Sequence, residues 1–253
     1  NGGAPTLTVD PLPDTVDKAS VTVSWQVSDA NDSNPKVFVN GEAQSYYSNS
    51  TTVALNQGSN TITVKAINKL GKTTEVTKTV TFASVGPVLQ VGAIPSSTSK
   101  KTVNVTWNVS DKNDGNPKVF VNGEEQSYYN NGKTVTLTPG TNTIRVKAQN
   151  KLGQVAEQAQ DIVFEPSAPT LTLGYAPETT ESSSFTLSWT VADENDSNPK
   201  VYINDQLQSP YNNSATLTLS PGANTFKIVA SNSYGKTSVV TYTITYTPAT
   251  PAN

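Results

Sequence analysis

Short stretches of the chain alternate apolar and polar residues. The segment "VTVSWQV" at 21–27 puts three valines and Trp25 in one phase, and Thr, Ser and Gln in the other. A period of two residues is typical of a β-strand with one buried face. The segments 103–109 and 185–191 keep apolar residues at the same places. We therefore expect antiparallel sheets that bury one face and leave the other in water.

Landmark residues return at a fixed spacing of 82 positions. This spacing is too long for a solenoid repeat and suits a complete small domain. We therefore predict three domains, 5–85, 86–167 and 168–248, followed by the tail "PATPAN". Because the chain starts at Asn1 and contains no methionine, we expect a piece of a longer protein. The landmarks are Trp25, Trp107 and Trp189; Pro5, Pro87 and Pro169; and Gly58, Gly140 and Gly222.

Seven short strands are predicted in each domain. In the first domain they are "PTLTV", "VTVSWQV", "KVFVN", a strand around "QSYY", "TVAL", "NTITVKAIN" and "EVTKTVTF". Asn40-Gly41 suits a type I′ hairpin because both residues accept a positive φ, and Asn204-Asp205 replaces it in the third copy. Seven strands without a cysteine pair predict an all-β fold of tandem immunoglobulin-like (Ig-like) β-sandwiches, with a small barrel as the alternative. The sandwich cores are expected to contain Trp25, Trp107 and Trp189.

The back half of each repeat carries a more specific pattern. It reads "KVFVNGEAQSYYSNSTTVALNQGSNTITVKAINKLGKT" in the first copy, with V-N-G followed by L-x-x-G-x-N-x-I-x-V-x-A-x-N-x-x-G. This pattern resembles the bacterial Ig-like domains that occur in tandem on surface proteins. It is also similar to the accessory Ig-like domain of glucodextranase-type secreted enzymes. The resemblance implies a non-catalytic part of an extracellular or cell-surface protein. Where such domains usually have an acid, this chain has Asn68, Asn150 and Asn232.

Composition excludes several classes of function. The chain has no cysteine and no histidine, so it lacks thiol nucleophiles and the usual general base of hydrolases. Acidic residues are sparse and scattered over three similar domains, so we expect no enzyme. The net charge of −3 comes without a basic stripe, which argues against nucleic acid as a partner. No apolar run is long enough for a membrane helix.

A loop rich in acids and amides occurs three times, as "DANDSNPKV", "DKNDGNPKV" and "DENDSNPKV". Its hard oxygens make calcium the one candidate cofactor, although the EF-hand pattern is absent. The favoured interpretation is a loop closed by its own side chains, because Asx residues hydrogen-bond to backbone amides one or two residues further on. The candidate ligands are Asp29, Asn31, Asp32, Asn34, Asp111, Asn113, Asp114, Asn116, Asp193, Asn195, Asp196 and Asn198.

A tyrosine step, "SYY", is the candidate carbohydrate contact, because exposed tyrosine faces stack on sugar rings. The alternative is that these rings cover an edge of the sandwich with their hydroxyls in water. Pro210 interrupts the step in the third copy. The candidate residues are Tyr46, Tyr47, Tyr128, Tyr129 and Tyr211.

The joints between the predicted domains are short and end in proline, as "ASVGP" and "EPSAP". Proline restricts its own backbone and that of the preceding residue, so such joints bend less than Gly/Ser linkers. We therefore expect an elongated monomer on the order of 100 Å long. The predicted function is a spacer or stalk. The alternatives are a polysaccharide-binding module, an adhesin for a host protein, and a phage decoration domain.

Overall fold

The computed structural model describes residues 2–249, and within that range the chain is all-β. Residues 250–253 of the predicted tail lie outside the described part. Eight strands form in each of three successive repeats. The first repeat contains β1 (Thr6–Val9), β2 (Thr15–Val16), β3 (Ser20–Ser28), β4 (Lys36–Val39), β5 (Glu42–Ala43), β6 (Ser50–Ala54), β7 (Gly58–Ile67) and β8 (Thr73–Phe82).

The second and third repeats follow the same order. The second contains β9 (Val88–Val91), β10 (Ser97–Thr98), β11 (Thr102–Ser110), β12 (Lys118–Val121), β13 (Glu124–Glu125), β14 (Gly132–Thr136), β15 (Gly140–Gln149) and β16 (Val155–Phe164). The third contains β17 (Thr170–Leu173), β18 (Thr179–Thr180), β19 (Ser184–Ala192), β20 (Lys200–Ile203), β21 (Gln206–Leu207), β22 (Ser214–Thr218), β23 (Gly222–Ser231) and β24 (Thr237–Tyr246).

Each repeat has a three-stranded and a five-stranded sheet. In the first repeat the strand orders are β1-β3-β6 and β2-β8-β7-β4-β5. All pairs in that repeat are antiparallel except β2 with β8, which run parallel. The same two orders recur in the other repeats. The fold is therefore three tandem Ig-like β-sandwiches, as the sequence predicts.

The period-two pattern builds the cores. On β3 the residues Val21, Val23 and Trp25 are buried, while Thr22 and Gln26 are exposed. The core of the first repeat combines residues of both sheets, including β7 and β8. The three tryptophans are confirmed as core residues, because Trp25, Trp107 and Trp189 are only 3%, 6% and 4% exposed.

The hairpin after the fourth strand has the backbone that its sequence predicts. Asn40 and Gly41 have φ of 48° and 86°, and Asn204 and Asp205 have 48° and 65°. Both central residues of the turn therefore adopt the left-handed conformation of a type I′ turn. An asparagine or aspartate at the second place tolerates this φ better than a β-branched residue would.

Two predictions of local structure are wrong. The strand expected around "QSYY" is a turn, and the short fifth strand lies just before it, at Glu42–Ala43. Each repeat has eight strands instead of seven, because two-residue strands such as Thr15–Val16 pair in parallel with the eighth strand. A two-residue strand has too few positions to show an alternating pattern.

The chain divides into two compact units. One comprises Asn1–Val91, Trp107–Asn131 and Arg145–Gln158, and the other comprises Gly92–Thr106, Gly132–Ile144 and Ala159–Asn253. The first unit holds the whole first sandwich and one part of the second; the other unit holds the rest of the second and the whole third. The boundaries 5–85, 86–167 and 168–248 stay predictions. Among the described residues no helix is long and apolar enough to cross a membrane.

Candidate functional site

The acid–amide loop, here called the head loop, covers residues 29–34, 111–116 and 193–198. In the first repeat Asp29 Oδ1 accepts from the Asn31 amide at 2.7 Å, and its Oδ2 accepts from Asn68 Nδ2 at 2.9 Å. Asp32 Oδ1 accepts from the Asn34 amide at 3.0 Å, and its Oδ2 accepts from the Lys69 amide at 2.7 Å. All four carboxylate oxygens thus accept hydrogen bonds from the protein itself.

The same bonds close the head loop in the other two repeats. Asp111 and Asp193 each accept from the amide two residues on, at 2.8 Å, and from Asn150 or Asn232 at 2.9 Å. Asp114 and Asp196 accept from the amides of Asn116 and Asn198 at 2.9 Å, and from those of Lys151 and Ser233 at 2.7 Å. The loop is therefore one structure built three times.

A buried asparagine fixes each loop to the turn after the seventh strand. Asn68 is only 4% exposed, and its Oδ1 accepts from the amides of Leu70 and Lys72 at 3.1 and 2.9 Å. Its Nδ2 donates to Asp29 and to the Gly3 carbonyl. Asn150 and Asn232 occupy the same place. An amide can donate and accept here at once, whereas an ionised acid at this position would only accept.

These hydrogen bonds set the electrostatics of the loop. The donor Asn68 and then the amide of Asn31 hold the pKa of Asp29 below its usual value. The amides of Asn198 and Ser233 do the same for Asp196. Within residues 2–249 no cluster of three or more acids or other metal-binding side chains is present. Calcium at this loop stays a hypothesis, and the favoured interpretation remains a loop closed by its own side chains.

The third residue of the head loop has a role that the sequence did not suggest. Asn113 Nδ2 donates to the Asp17 carbonyl at 2.8 Å, and its Oδ1 accepts from the Ala19 amide at 2.8 Å. Asn195 makes the equivalent pair with the Ser99 carbonyl at 2.7 Å and the Lys101 amide at 2.6 Å. Each asparagine therefore binds the turn between the second and third strands of the preceding repeat.

We call that turn the tail turn; it covers residues 17–19, 99–101 and 181–183. An ion pair beside the asparagine reinforces each contact, and the positions of the acid and the base are exchanged between the two joints. Lys112 forms an ion pair with Asp17, and this hydrogen bond holds the pKa of Asp17 below its usual value. At the next joint the acid is on the head loop. Glu194 Oε2 accepts a hydrogen bond from Ser99 Oγ at 2.9 Å, and Glu194 Oε1 lies 3.6 Å from Lys100 Nζ. The acid therefore lies on the tail turn at the first joint and on the head loop at the second.

Further contacts support both joints. Gln154 Nε2 donates to the Ser84 carbonyl of the first linker at 3.0 Å. In the second joint the ring of Tyr234 meets that of Phe164 edge to face, with centroids 5.5 Å apart and planes at 89°. Asn232 Nδ2 donates to the Ser167 carbonyl of the second linker at 2.8 Å. The linkers are therefore held by side chains of the repeat that follows.

The tyrosine step lies in the turn between the fifth and sixth strands, here called the tyrosine turn (44–49, 126–131 and 208–213). The second tyrosine of each copy is almost fully exposed: Tyr47 91%, Tyr129 89% and Tyr211 95%. In the first two repeats its neighbour meets it edge to face, with centroids 4.9 Å apart for Tyr46–Tyr47 and 5.1 Å for Tyr128–Tyr129. Exposed and paired aromatic faces of this kind offer a platform to a ligand.

A cleft separates the tyrosine turn from the head loop. In the first repeat it has a volume of about 920 Å³, and its lining includes Tyr46, Tyr47, Asn34, Gln44 and Phe38. The equivalent clefts measure about 190 Å³ in the second repeat and about 300 Å³ in the third, where Pro210 replaces the first tyrosine. Of these three clefts, only the first has both the usual volume of a ligand site and a complete tyrosine pair.

Two family models match parts of the chain. Residues 5–84 match the model of glucodextranase domain B. Residues 154–248 match that of the cadherin-like beta sandwich domain. These matches confirm the resemblance to tandem Ig-like domains. No curated protein sequence matches the chain.

Solved structures of tandem sandwich domains are similar at low identity. A three-domain fragment of titin, I67–I69 in an E-to-A variant, is 10% identical, with 97% of this chain and 99% of that chain covered and a TM-score of 0.39. A bacterial ice-binding adhesin of 1.5 MDa is 16% identical, with 98% and 99% covered and a TM-score of 0.32. SGBP-B of the mixed-linkage glucan utilization locus of Bacteroides ovatus, solved in complex with a mixed-linkage heptasaccharide, is 14% identical, with 98% and 71% covered and a TM-score of 0.26.

Proposed function

We propose that the chain is a non-catalytic spacer in an extracellular or cell-surface protein, with joints that resist bending. One observation carries this proposal: the asparagine of each following head loop makes two hydrogen bonds to the preceding tail turn. The matches to glucodextranase domain B and the cadherin-like sandwich support an accessory module of this kind.

Two bonds from one side chain restrain a joint more than one bond does, because they fix both a distance and a rotation. Each neutral hydrogen bond contributes about 0.5–1.5 kcal/mol. The exposed ion pair adds little, because solvent screens it. The two hydrogen bonds therefore stabilise each joint by about 1–3 kcal/mol, enough to favour one geometry over a freely jointed linker by about fivefold or more.

Small-angle X-ray scattering tests the spacer. A compact globule of this length has a radius of gyration of about 18 Å. A rod on the order of 100 Å long has one of about 30 Å. We expect the larger value, and we expect Asn113→Ala with Asn195→Ala to add the scattering signature of flexible linkers. The matched control is Asn31→Ala, the same loop position without a preceding repeat among the described residues. A compact value, or a double variant that scatters like the control, would contradict the proposal.

Polysaccharide binding is the second candidate function. It is favoured by the exposed tyrosine pair beside the 920 Å³ cleft of the first repeat. Retention on insoluble cell-wall and plant glycans tests it, with Tyr46→Ala and Tyr47→Ala as the variants. Tyr175→Ala is the control, because Tyr175 is 81% exposed and lies outside the clefts. If the parent chain and the control are retained and the cleft variants are not, polysaccharide binding is established. If the parent chain is retained on no polymer, the spacer is the only function that stands.

A further inference from the structure

The three tail turns share one local structure, but their contacts differ. In the second and third repeats the central amide of the turn donates to a threonine two residues before it: Lys100 N to Thr98 Oγ1 at 3.0 Å, and Ser182 N to Thr180 Oγ1 at 3.2 Å. The first two tail turns each bind an asparagine of the next repeat. Within residues 2–249 the Glu181 carbonyl and the Ser183 amide have no hydrogen-bond partner, although they occupy the same two positions. The third tail turn therefore presents the same two backbone groups that bind an asparagine in the first and second tail turns.

Charge indicates which kind of partner fits. Glu181 stands where Asp17 stands in the first repeat, and Asp17 binds Lys112. A head loop like that of the second repeat, with a lysine directly before its asparagine, would place opposite charges together. A head loop like that of the third repeat would place Glu194 against Glu181, and like charges oppose each other. The favoured partner therefore has the lysine-bearing head.

The 82-residue spacing of the linker prolines continues after the third sandwich. Pro251 lies 82 positions after Pro169, at the same spacing that separates Pro5, Pro87 and Pro169. The segment "TPATP" at 247–251 thus takes the register of the linker "EPSAP" at 165–169. A domain that follows this linker would arrive in the same sequence register as the second and third repeats.

We infer that the tail turn Glu181–Ser183 is an acceptor for the head loop of another Ig-like repeat, one with lysine and asparagine at the places of Lys112 and Asn113. This inference rests on the proposed function, because it assigns the same joint to a further pair of repeats. The partner's asparagine would donate to the Glu181 carbonyl and accept from the Ser183 amide, and its lysine would pair with Glu181.

A transplant within the chain tests whether this turn is a competent acceptor. Asp17→Glu, Lys18→Ser and Ala19→Ser together give the first joint the tail turn of the third repeat. Amide hydrogen exchange at position 19 should stay within about threefold of the parent chain. Adding Lys112→Glu should accelerate it, because two acids then face each other. If the transplant alone exchanges as fast as the Asn113→Ala variant, the inference is wrong.

An extended chain tests the docking itself. Residues 1–251 are followed by a second copy of 88–167, so that a lysine-bearing head reaches Glu181–Ser183. The Ser183 amide should exchange about tenfold more slowly than in the unextended chain, and Asn113→Ala in the added copy should abolish this effect. An unchanged Ser183 rate, with slow exchange at Ala19 and Lys101, would overturn this inference alone. Fast exchange at Ala19 and Lys101 as well would overturn the proposed function.

Discussion

The head loop and the tyrosine turn face each other across one cleft, yet they use their side chains in opposite ways. In the first head loop all four carboxylate oxygens accept hydrogen bonds from the chain. In the tyrosine turn Tyr47 is 91% exposed, and its ring meets that of Tyr46 edge to face. A polar cluster with satisfied bonds stabilises the fold, whereas exposed aromatic faces remain available to a partner.

The three head loops also differ among themselves, at a position that contacts the preceding repeat. Residues that all three head loops share, such as Asp29 and Asp32, hold each loop together. The position after the first acid differs, with Ala30, Lys112 and Glu194. Lys112 and Glu194 each pair with one residue of opposite charge in the preceding tail turn, Asp17 and Lys100. The shared residues therefore build the domain, and a differing residue adapts each joint to its neighbour.

The largest difference between the two regions should be in stability. Asn68→Ala removes the hydrogen-bond partner of the Leu70 and Lys72 amides and of Asp29 Oδ2, so it should lower the free energy of unfolding of the first repeat by about 2–4 kcal/mol. Tyr47→Ala, its matched control across the cleft, should change it by less than about 0.5 kcal/mol. Hydrogen exchange of β3 amides measures both. Equal losses would mean that the two regions do not differ in this way.

Acid should destabilise the head loop and spare the tyrosine turn. The folded-state pKa of Asp29 is lowered, so its contribution is present above the unfolded-state pKa of about 3.9 and is lost as the pH falls through the folded value. The first repeat should keep constant stability from pH 7 to 5 and lose stability below about pH 4. Asp29→Asn should remove part of that loss. A variant with the wild-type acid profile would show that Asp29 is not linked to folding.

The charge at the joint should contribute less. Lys112→Glu places an acid beside Asp17 and should weaken the first joint by less than Asn113→Ala does, seen as faster exchange of the Ala19 amide. Adding Asp17→Lys restores opposite charges and should recover most of the loss. A double-mutant cycle with no coupling would show that the ion pair does not contribute to the joint.

Metal removal should have no effect. Because the head-loop carboxylate oxygens already accept protein hydrogen bonds, the melting midpoint should be the same in EDTA and in excess calcium. A midpoint that rises with calcium would instead support the calcium hypothesis, since a ligand bound only by the folded state must stabilise it.

Much of the fold could be predicted from local sequence. The period of two identified β3 and its buried Trp25, and Asn40-Gly41 identified the hairpin, because each signal lies within a few neighbouring residues. The joint could not be found in this way. Asn113 and its partner Ala19 are 94 positions apart, and two of the bonding groups are backbone atoms, which leave no mark on residue identity. The sequence therefore identified these asparagines as polar residues that close the loop or bind calcium, but it did not indicate that Asn113 and Asn195 bind the preceding repeat.

The most direct test of the spacer is amide exchange in the unmodified chain, at three equivalent positions of the tail turns. Ala19 and Lys101 donate to an asparagine of the next repeat, whereas Ser183 has no such partner among the described residues. After correction for intrinsic rates, Ala19 and Lys101 should exchange about tenfold more slowly than Ser183. Equal rates at all three positions would contradict the docked joints on which the proposed function depends.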